Sequence, residues 1–228
     1  MDKEEIDMKK TTIILFILFS FGFFLGAGTA SAATTGTLPG PEIPLVGSGG
    51  ILDQIYGWSN LSRIDDDLDQ IWFPADGTAT VQAKFAAYTQ NFGYIPDLNG
   101  DNNFDESFVS LFIFTGNGLN LAGPTANLSS GNFNFLWALD PSGAPLWTSL
   151  PSQNSDKLDH MVTWLITGGS GNTAGNFVIA WEDLWGGGDR DFNDLVVEVN
   201  VAPVPIPGTI LLLSSGLVGL VALRRRKK

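Results

Sequence analysis

From residue 78 to residue 201 the chain alternates short apolar runs with clusters of Gly, Asn, Asp and Pro. The run 107–114 stops at Gly116-Asn117-Gly118, and 132–139 stops at Asp140-Pro141-Ser142-Gly143. The run 160–166 stops at Gly168-Gly169, 176–182 leads to Gly186-Gly187-Gly188, and 195–201 closes the series. Earlier, Ala79, Val81, Ala83 and Phe85 recur at every second position. Alternation of this kind marks strands, and the intervening residues are those that turn a backbone tightly. The expectation is an all-β domain, an antiparallel β-sandwich of jelly-roll-like type. Neither a convincing amphipathic helix nor a sequence repeat is found within it. Trp137, Trp164 and Trp181 fall inside apolar runs and read as core; Trp58, Trp147 and Trp185 adjoin loops and read as exposed.

Charge and cysteine content narrow the chemistry. Between residues 33 and 202 the cations are Arg63, Lys84, Lys157 and Arg190 against 20 acids, a net of −16. Such a surface repels nucleic acid and anionic lipid and attracts divalent cations. The chain has no cysteine, so thiolate zinc sites, thiol catalysis and disulfides are all excluded.

The acids concentrate in residues 182–194: Glu182-Asp183-Leu184-Trp185-Gly186-Gly187-Gly188-Asp189-Arg190-Asp191-Phe192-Asn193-Asp194. Calcium takes six to eight oxygen ligands, and a glycine run lets carboxylates and backbone carbonyls converge on one point. Glu182, Asp183, Asp189, Asp191, Asn193 and Asp194 are therefore candidate Ca2+ ligands, with Arg190 able to pair with a neighbouring carboxylate. A hairpin whose Asp and Asn side chains cap backbone amides uses the same residues. A second, weaker candidate is Asp97, Asn99, Asp101, Asn103 and Asp105. It has oxygens at four EF-hand positions, but Asn102 stands where glycine is required and Phe108 where the bidentate acid belongs. Asp65, Asp66, Asp67 and Asp69 read as a solvated face.

Enzymatic readings find little support. His160 is the one histidine and lies beside Asp159, yet no G-x-S-x-G elbow supplies a nucleophile. Glycoside hydrolysis needs two carboxylates, and no pair stands apart from the loop acids. Trp185, inside the acidic loop, is a candidate sugar-stacking ligand residue; an aromatic plug over the ion site is the other reading.

The stretch from Asp159-His160-Met161-Val162-Thr163-Trp164 through Glu182-Asp183, Gly186-Gly187-Gly188-Asp189-Arg190-Asp191-Phe192-Asn193-Asp194 to Leu195-Val196 resembles the family called domain of unknown function 4114. That resemblance implies a β-rich extracellular bacterial module without an established activity. It is clearest over residues 156–201.

The termini read as addresses. Met8-Lys9-Lys10, an apolar run over 13–25 and Ala30-Ser31-Ala32 form a secretory signal peptide, a signal helix within 1–32. The acidic stretch 1–7 departs from that plan and makes Met8 the expected start; an uncleaved anchor is the alternative. At the other end the apolar run 209–223 is 15 residues long, short of the ~20 that span hydrocarbon, and five cations follow it. A short transmembrane helix with a cytoplasmic basic end is expected, an ordinary tail anchor being the alternative. Pro205, Pro207 and Gly208, the apolar run, then Arg224, Arg225 and Arg226, resemble the PEP-CTERM sorting signal of Gram-negative bacteria, with Ile206 in place of the usual Glu. The resemblance implies an exosortase-type partner, transient inner-membrane anchoring, and release to the cell surface or extracellular matrix.

The expected organisation is a signal at 1–32, a linker at 33–50, a β-sandwich at 51–201 and a sorting tail at 202–228. The expected function is that of an exported, non-enzymatic surface or matrix protein, calcium-binding and associated with exopolysaccharide. A carbohydrate-binding module and an extracellular glycan hydrolase are the alternatives.

Overall fold

The computed structural model describes residues 42–204 except 74, 75, 122 and 130. The expected signal peptide and the sorting residues Pro205, Pro207, Gly208, Arg224, Arg225 and Arg226 lie outside the described residues. Among the described residues no helix is long and apolar enough to cross a membrane.

Among the described residues one short α-helix, α1 (Ile51–Tyr56), precedes eleven strands. They are β1 (Leu61–Arg63), β2 (Asp76–Lys84), β3 (Gln90–Pro96), β4 (Val109–Phe114), β5 (Gly118–Leu119), β6 (Thr125–Ser129), β7 (Phe135–Pro141), β8 (Trp147–Thr148), β9 (Met161–Ile166), β10 (Phe177–Trp181) and β11 (Leu195–Val199). The larger sheet has the order β1-β9-β10-β11-β2-β5, and β6 pairs with the first half of β2. The smaller sheet has the order β4-β3-β7-β8. Every pairing is antiparallel, as the sequence pattern requires.

The two sheets bury one apolar core between them. Phe92, Phe135, Trp137 and Leu139 enter it from the smaller sheet, and Val81, Ile179, Trp181, Leu195 and Val197 from the larger. Phe92 stacks on Phe112 and Trp137 at ring-centroid distances of 5.2 and 5.1 Å and meets Trp181 edge-on at 6.3 Å. The larger sheet also hides its outer face. Val178, Ala180, Val196 and Trp164 lie beneath α1 and the segment before it, where Leu45 is buried and Ile43 packs alongside. β10 and the first three residues of β11 are thus apolar on both faces, which explains their unbroken hydrophobic runs, and Glu198 in β11 accepts from Tyr56 and Asn176. Packing begins upstream of residue 51, within the stretch expected to be a linker.

Three expectations need correction. Trp147 is fully buried, because its indole stacks on His160 with centroids 3.8 Å apart. Asp69 does not belong to a solvated face: it is 1% exposed, and burial pushes its carboxyl up to about 8. β3 was not evident, because Gln90, Asn91, Gly93 and Pro96 disguise a strand buried on both faces.

Truncating Phe92 removes the ring shared by both sheets. Phe92→Ala is expected to cost about 3–5 kcal/mol of unfolding free energy. Urea denaturation followed by tryptophan fluorescence measures this; a loss under about 1 kcal/mol would contradict the packing described.

Candidate metal centre

The acidic segment connects β10 to β11, and its entry and exit are pinned to the fold. Trp181 accepts a bond from Asp194 N–H at 3.1 Å, and Asp183 N–H donates to Asp194 Oδ2 at 2.8 Å. The buried Trp147–His160 stack holds the backbone just beyond β10. Trp147 Nε1–H donates to the Asp183 carbonyl at 2.8 Å, and His160 Nδ1–H donates to the Glu182 carbonyl at 2.8 Å. The other imidazole nitrogen lies 3.0 Å from Asp156 Oδ2, which also accepts from Gly186 N–H at 2.9 Å. The histidine is therefore a structural tie, and its carboxylate partner is Asp156. Asp159, its neighbour in sequence, accepts from Met161 N–H instead.

These ties aim side chains inward. Glu182, Asp183 and Asp194 bring one carboxylate oxygen each within 4.8 Å of one another, and Glu42, Asp189 and Asp191 form a second such trio. Glu182 and Asp183 are buried, and Asp194 is nearly so. A cavity of about 320 Å³ is lined by Glu42, Glu182, Asp183, Asp189 and Asp194, with Phe85, Ala86, Ala87, Tyr88 and Leu184 completing its wall. Gly188 makes the close approach possible. Its φ of +45° suits glycine, and a Cβ there would collide with the Glu182 carboxylate. Arg190 meets Glu182 through its backbone, the N–H donating to Oε2 at 3.1 Å.

Of the six expected ligands, five fall in the two trios. Asn193 is fully buried and ties the loop to the upstream segment: Nδ2 donates to Asp191 Oδ2 at 2.5 Å and to the Ile43 carbonyl at 3.1 Å. Its Oδ1 has no hydrogen-bond partner, nor does Oε1 of the buried Gln90, whose Nε2 donates to Asp183 Oδ2. Glu42 was missed because it lies in a stretch that reads as linker. Gln90 was missed with its strand. Asp156, four residues before His160, did carry a signal in that spacing.

Crowding and burial perturb the acids in one direction. Burial, reinforced by the neighbouring Asp183 charge, pushes the Asp194 carboxyl up to about 9. Burial likewise raises Glu182 to about 7 and Asp191 to about 6, with Asp189 adding repulsion to both. Asp183 is raised by burial, against the pull of Gln90 and Lys84. These are hard oxygen donors held together at an electrostatic cost, which suits a hard divalent cation such as Ca2+. The imidazole is not offered to a metal, since both ring nitrogens are engaged.

The second candidate loop has a different use for its oxygens. Asp97 Oδ1 accepts from Gly100 and Asp101 N–H at 2.9 and 3.1 Å, and Oδ2 from Asn102 N–H at 3.0 Å. Asn99 Oδ1 accepts from Asp101 N–H at 3.0 Å, Asp101 Oδ1 from Asn103 N–H at 2.8 Å, and Asp105 Oδ2 from Asn103 Nδ2 at 3.0 Å. Successive Asx turns of this kind bend the loop so that Phe104 packs on Ile95 and Leu136. Among the described residues, no three of its acids converge as the two trios do. Trp185 is 59% exposed, its ring 6.0 Å from that of Trp147, and it does not line the acidic cavity as a plug would.

Residues 111–202 match the family model described as Domain of unknown function (DUF4114). The match runs from within β4 past the end of β11, takes in the whole acidic loop, and leaves out Glu42 and Gln90. Over that stretch the chain is similar to a β-rich family whose description assigns it no chemistry. No curated protein matches the chain.

The raised carboxyls set a pH dependence. Folded-state values above the unfolded ones mean that the folded chain holds protons the unfolded chain sheds, so their contribution is full below about pH 4. It is lost as pH rises through about 6, 7 and 9, the values of Asp191, Glu182 and Asp194. The melting temperature of chelator-treated protein is therefore expected to fall between about pH 5 and about pH 9. Scanning calorimetry across that range would contradict the account if the temperature rose or stayed level.

Proposed function

We propose that this is a calcium-binding, non-enzymatic β-sandwich module of an exported surface or matrix protein. The observation that carries the reading is the convergence of Glu182, Asp183 and Asp194 at a cavity, with their carboxyls pushed above the ordinary range. A divalent ion would discharge that repulsion and tie the start of β11 to the end of β10. Asp189, Asp191 and Glu42 lie at hand as further donors. The signal-peptide pattern and the PEP-CTERM resemblance support export, an exosortase-type partner and retention on extracellular polysaccharide. The engagement of both nitrogens of His160 favours a non-enzymatic reading over a hydrolase.

Thermal unfolding with and without calcium tests this. Millimolar calcium is expected to raise the melting temperature of the wild type by several degrees. Glu182→Gln and Asp194→Asn are each expected to abolish that rise, and in chelator near pH 9, where both carboxyls carry charge, each is expected to raise the melting temperature by removing a repelling charge. Loss of stability in chelator with the calcium response intact would refute the reading.

A carbohydrate-binding role has one specific support, the exposed indole of Trp185 on the same loop as the acids. Exposed aromatic faces stack on sugar rings. Trp185→Ala is expected to weaken retention on the cell's polysaccharide without changing the melting temperature. Unchanged retention would remove this second reading.

A further inference from the structure

The carboxylates at the β10–β11 connection fall into two sets. Glu182, Asp183 and Asp194 form the inner trio, Glu42, Asp189 and Asp191 the outer, and no residue belongs to both. Oxygens that share one calcium ion lie no further apart than twice the bond of about 2.3–2.6 Å, roughly 5 Å. Each trio meets that limit by itself, with one oxygen per residue within 4.8 Å of the other two. Members of both trios line the same cavity of about 320 Å³. Together they hold six carboxyl groups, and one divalent ion neutralises only two negative charges.

A second feature recurs at both trios. Gln90 and Asn193 are fully buried. Gln90 Nε2 donates to Asp183 Oδ2 in the inner trio, and Asn193 Nδ2 donates to Asp191 Oδ2 in the outer, at 2.5 Å. In each amide the nitrogen is thus spent on a trio carboxylate, while the oxygen on the same carbon has no hydrogen-bond partner. A buried carbonyl oxygen without a donor is costly, and native proteins keep few of them. Side-chain amide oxygens are ordinary calcium ligands. Two such oxygens, one against each set of carboxylates, match a pair of ion positions better than a single one.

We propose that the cavity takes two divalent cations, an inner one on Glu182, Asp183 and Asp194 with the Gln90 oxygen, and an outer one on Glu42, Asp189 and Asp191 with the Asn193 oxygen. The proposal rests on the calcium reading of that cavity and extends it from one ion to two. The two ions tie different parts of the fold. Gln90 lies on β3 of the smaller sheet and the inner carboxylates flank strands of the larger, so the inner ion bridges the sheets. Glu42 precedes α1, and Asn193 Nδ2 already reaches the Ile43 carbonyl at 3.1 Å. The outer ion therefore fastens the segment entering the domain onto the loop.

Equilibrium dialysis against millimolar radioactive calcium counts the ions bound per chain. Wild type is expected to bind two. Glu42→Gln combined with Asp189→Asn, both at exposed positions, is expected to bind one and to keep the calcium-induced rise in melting temperature. Gln90→Met and Asn193→Leu, which remove the amide oxygen, are each expected to weaken one ion about tenfold or more. Gln90→Glu and Asn193→Asp, which keep oxygen ligands, are expected to bind both ions at least as tightly as wild type. Where an oxygen-free variant does not fold, its acid counterpart carries the test. Unchanged binding in an oxygen-free variant, or weakened binding in its acid counterpart, overturns that amide as a ligand. A wild type that binds one ion, or a double variant that binds two or none, overturns the two-ion proposal and leaves the calcium reading standing. No binding by wild type overturns both.

Discussion

Like charges do not gather in a protein interior without something to hold them, and the end of the β10–β11 connection gathers several. Glu182, Asp183 and Asp194 approach within 4.8 Å, and burial weakens the screening that water would provide. The local architecture can be understood as the means of holding them there. The β10–β11 pairing fixes where the loop leaves and returns, with Trp181 opposite Leu195. The Trp147–His160 stack then fastens the carbonyls of Asp183 and Glu182, so the backbone is set before any side chain is placed. Gly188 supplies the room that the Glu182 carboxylate occupies. The aromatic core between the sheets gives this frame its rigidity.

Two agents can relieve the repulsion, and they are interchangeable in kind. Protons do so at the raised carboxyls, and a divalent ion would do so from the cavity. Each lowers the same electrostatic cost, so each weakens the need for the other. Proton binding and metal affinity are therefore linked, and a change in one is read in the other. The outer acids Glu42, Asp189 and Asp191 extend the negative field toward solvent, where a cation would arrive.

The strands that carry this site were the most legible part of the sequence. Residues 177–181 and 195–199 are short, apolar and bounded by turn formers, and the acids between them lie adjacent along the chain. What lies far away in sequence was not legible. Glu42 reaches the cavity because Ile43 and Leu45 pack against the outer face of the larger sheet, a tertiary fact with no periodic signature. β3 hid because a strand buried on both faces does not alternate, and its Gly93 and Pro96 imitate a loop. Trp147 beside a proline-rich turn looked exposed, yet the buried imidazole needed a partner surface. The 97–105 loop shows the converse ambiguity. Spacing alone does not separate a ring of metal ligands from a chain of Asx turns, since both place oxygens at every second residue; only the direction of those oxygens decides. Asp97 gives both oxygens to amides of its own loop, whereas Glu182 and Asp194, which also accept backbone N–H groups, bring one oxygen each together with Asp183.

The central claim is that raised carboxyls and a divalent ion compete for one cavity. Its most direct test is calorimetric titration of calcium near neutral pH in two buffers of different ionisation enthalpy, which counts the protons released as the ion binds. The account predicts saturable binding with net proton release at pH 7, falling as pH rises toward 10, because Glu182 at about 7 and Asp194 at about 9 hold protons in the apo protein that the ion displaces. Saturable binding without proton release would contradict it, because the ion would then be held by groups other than these.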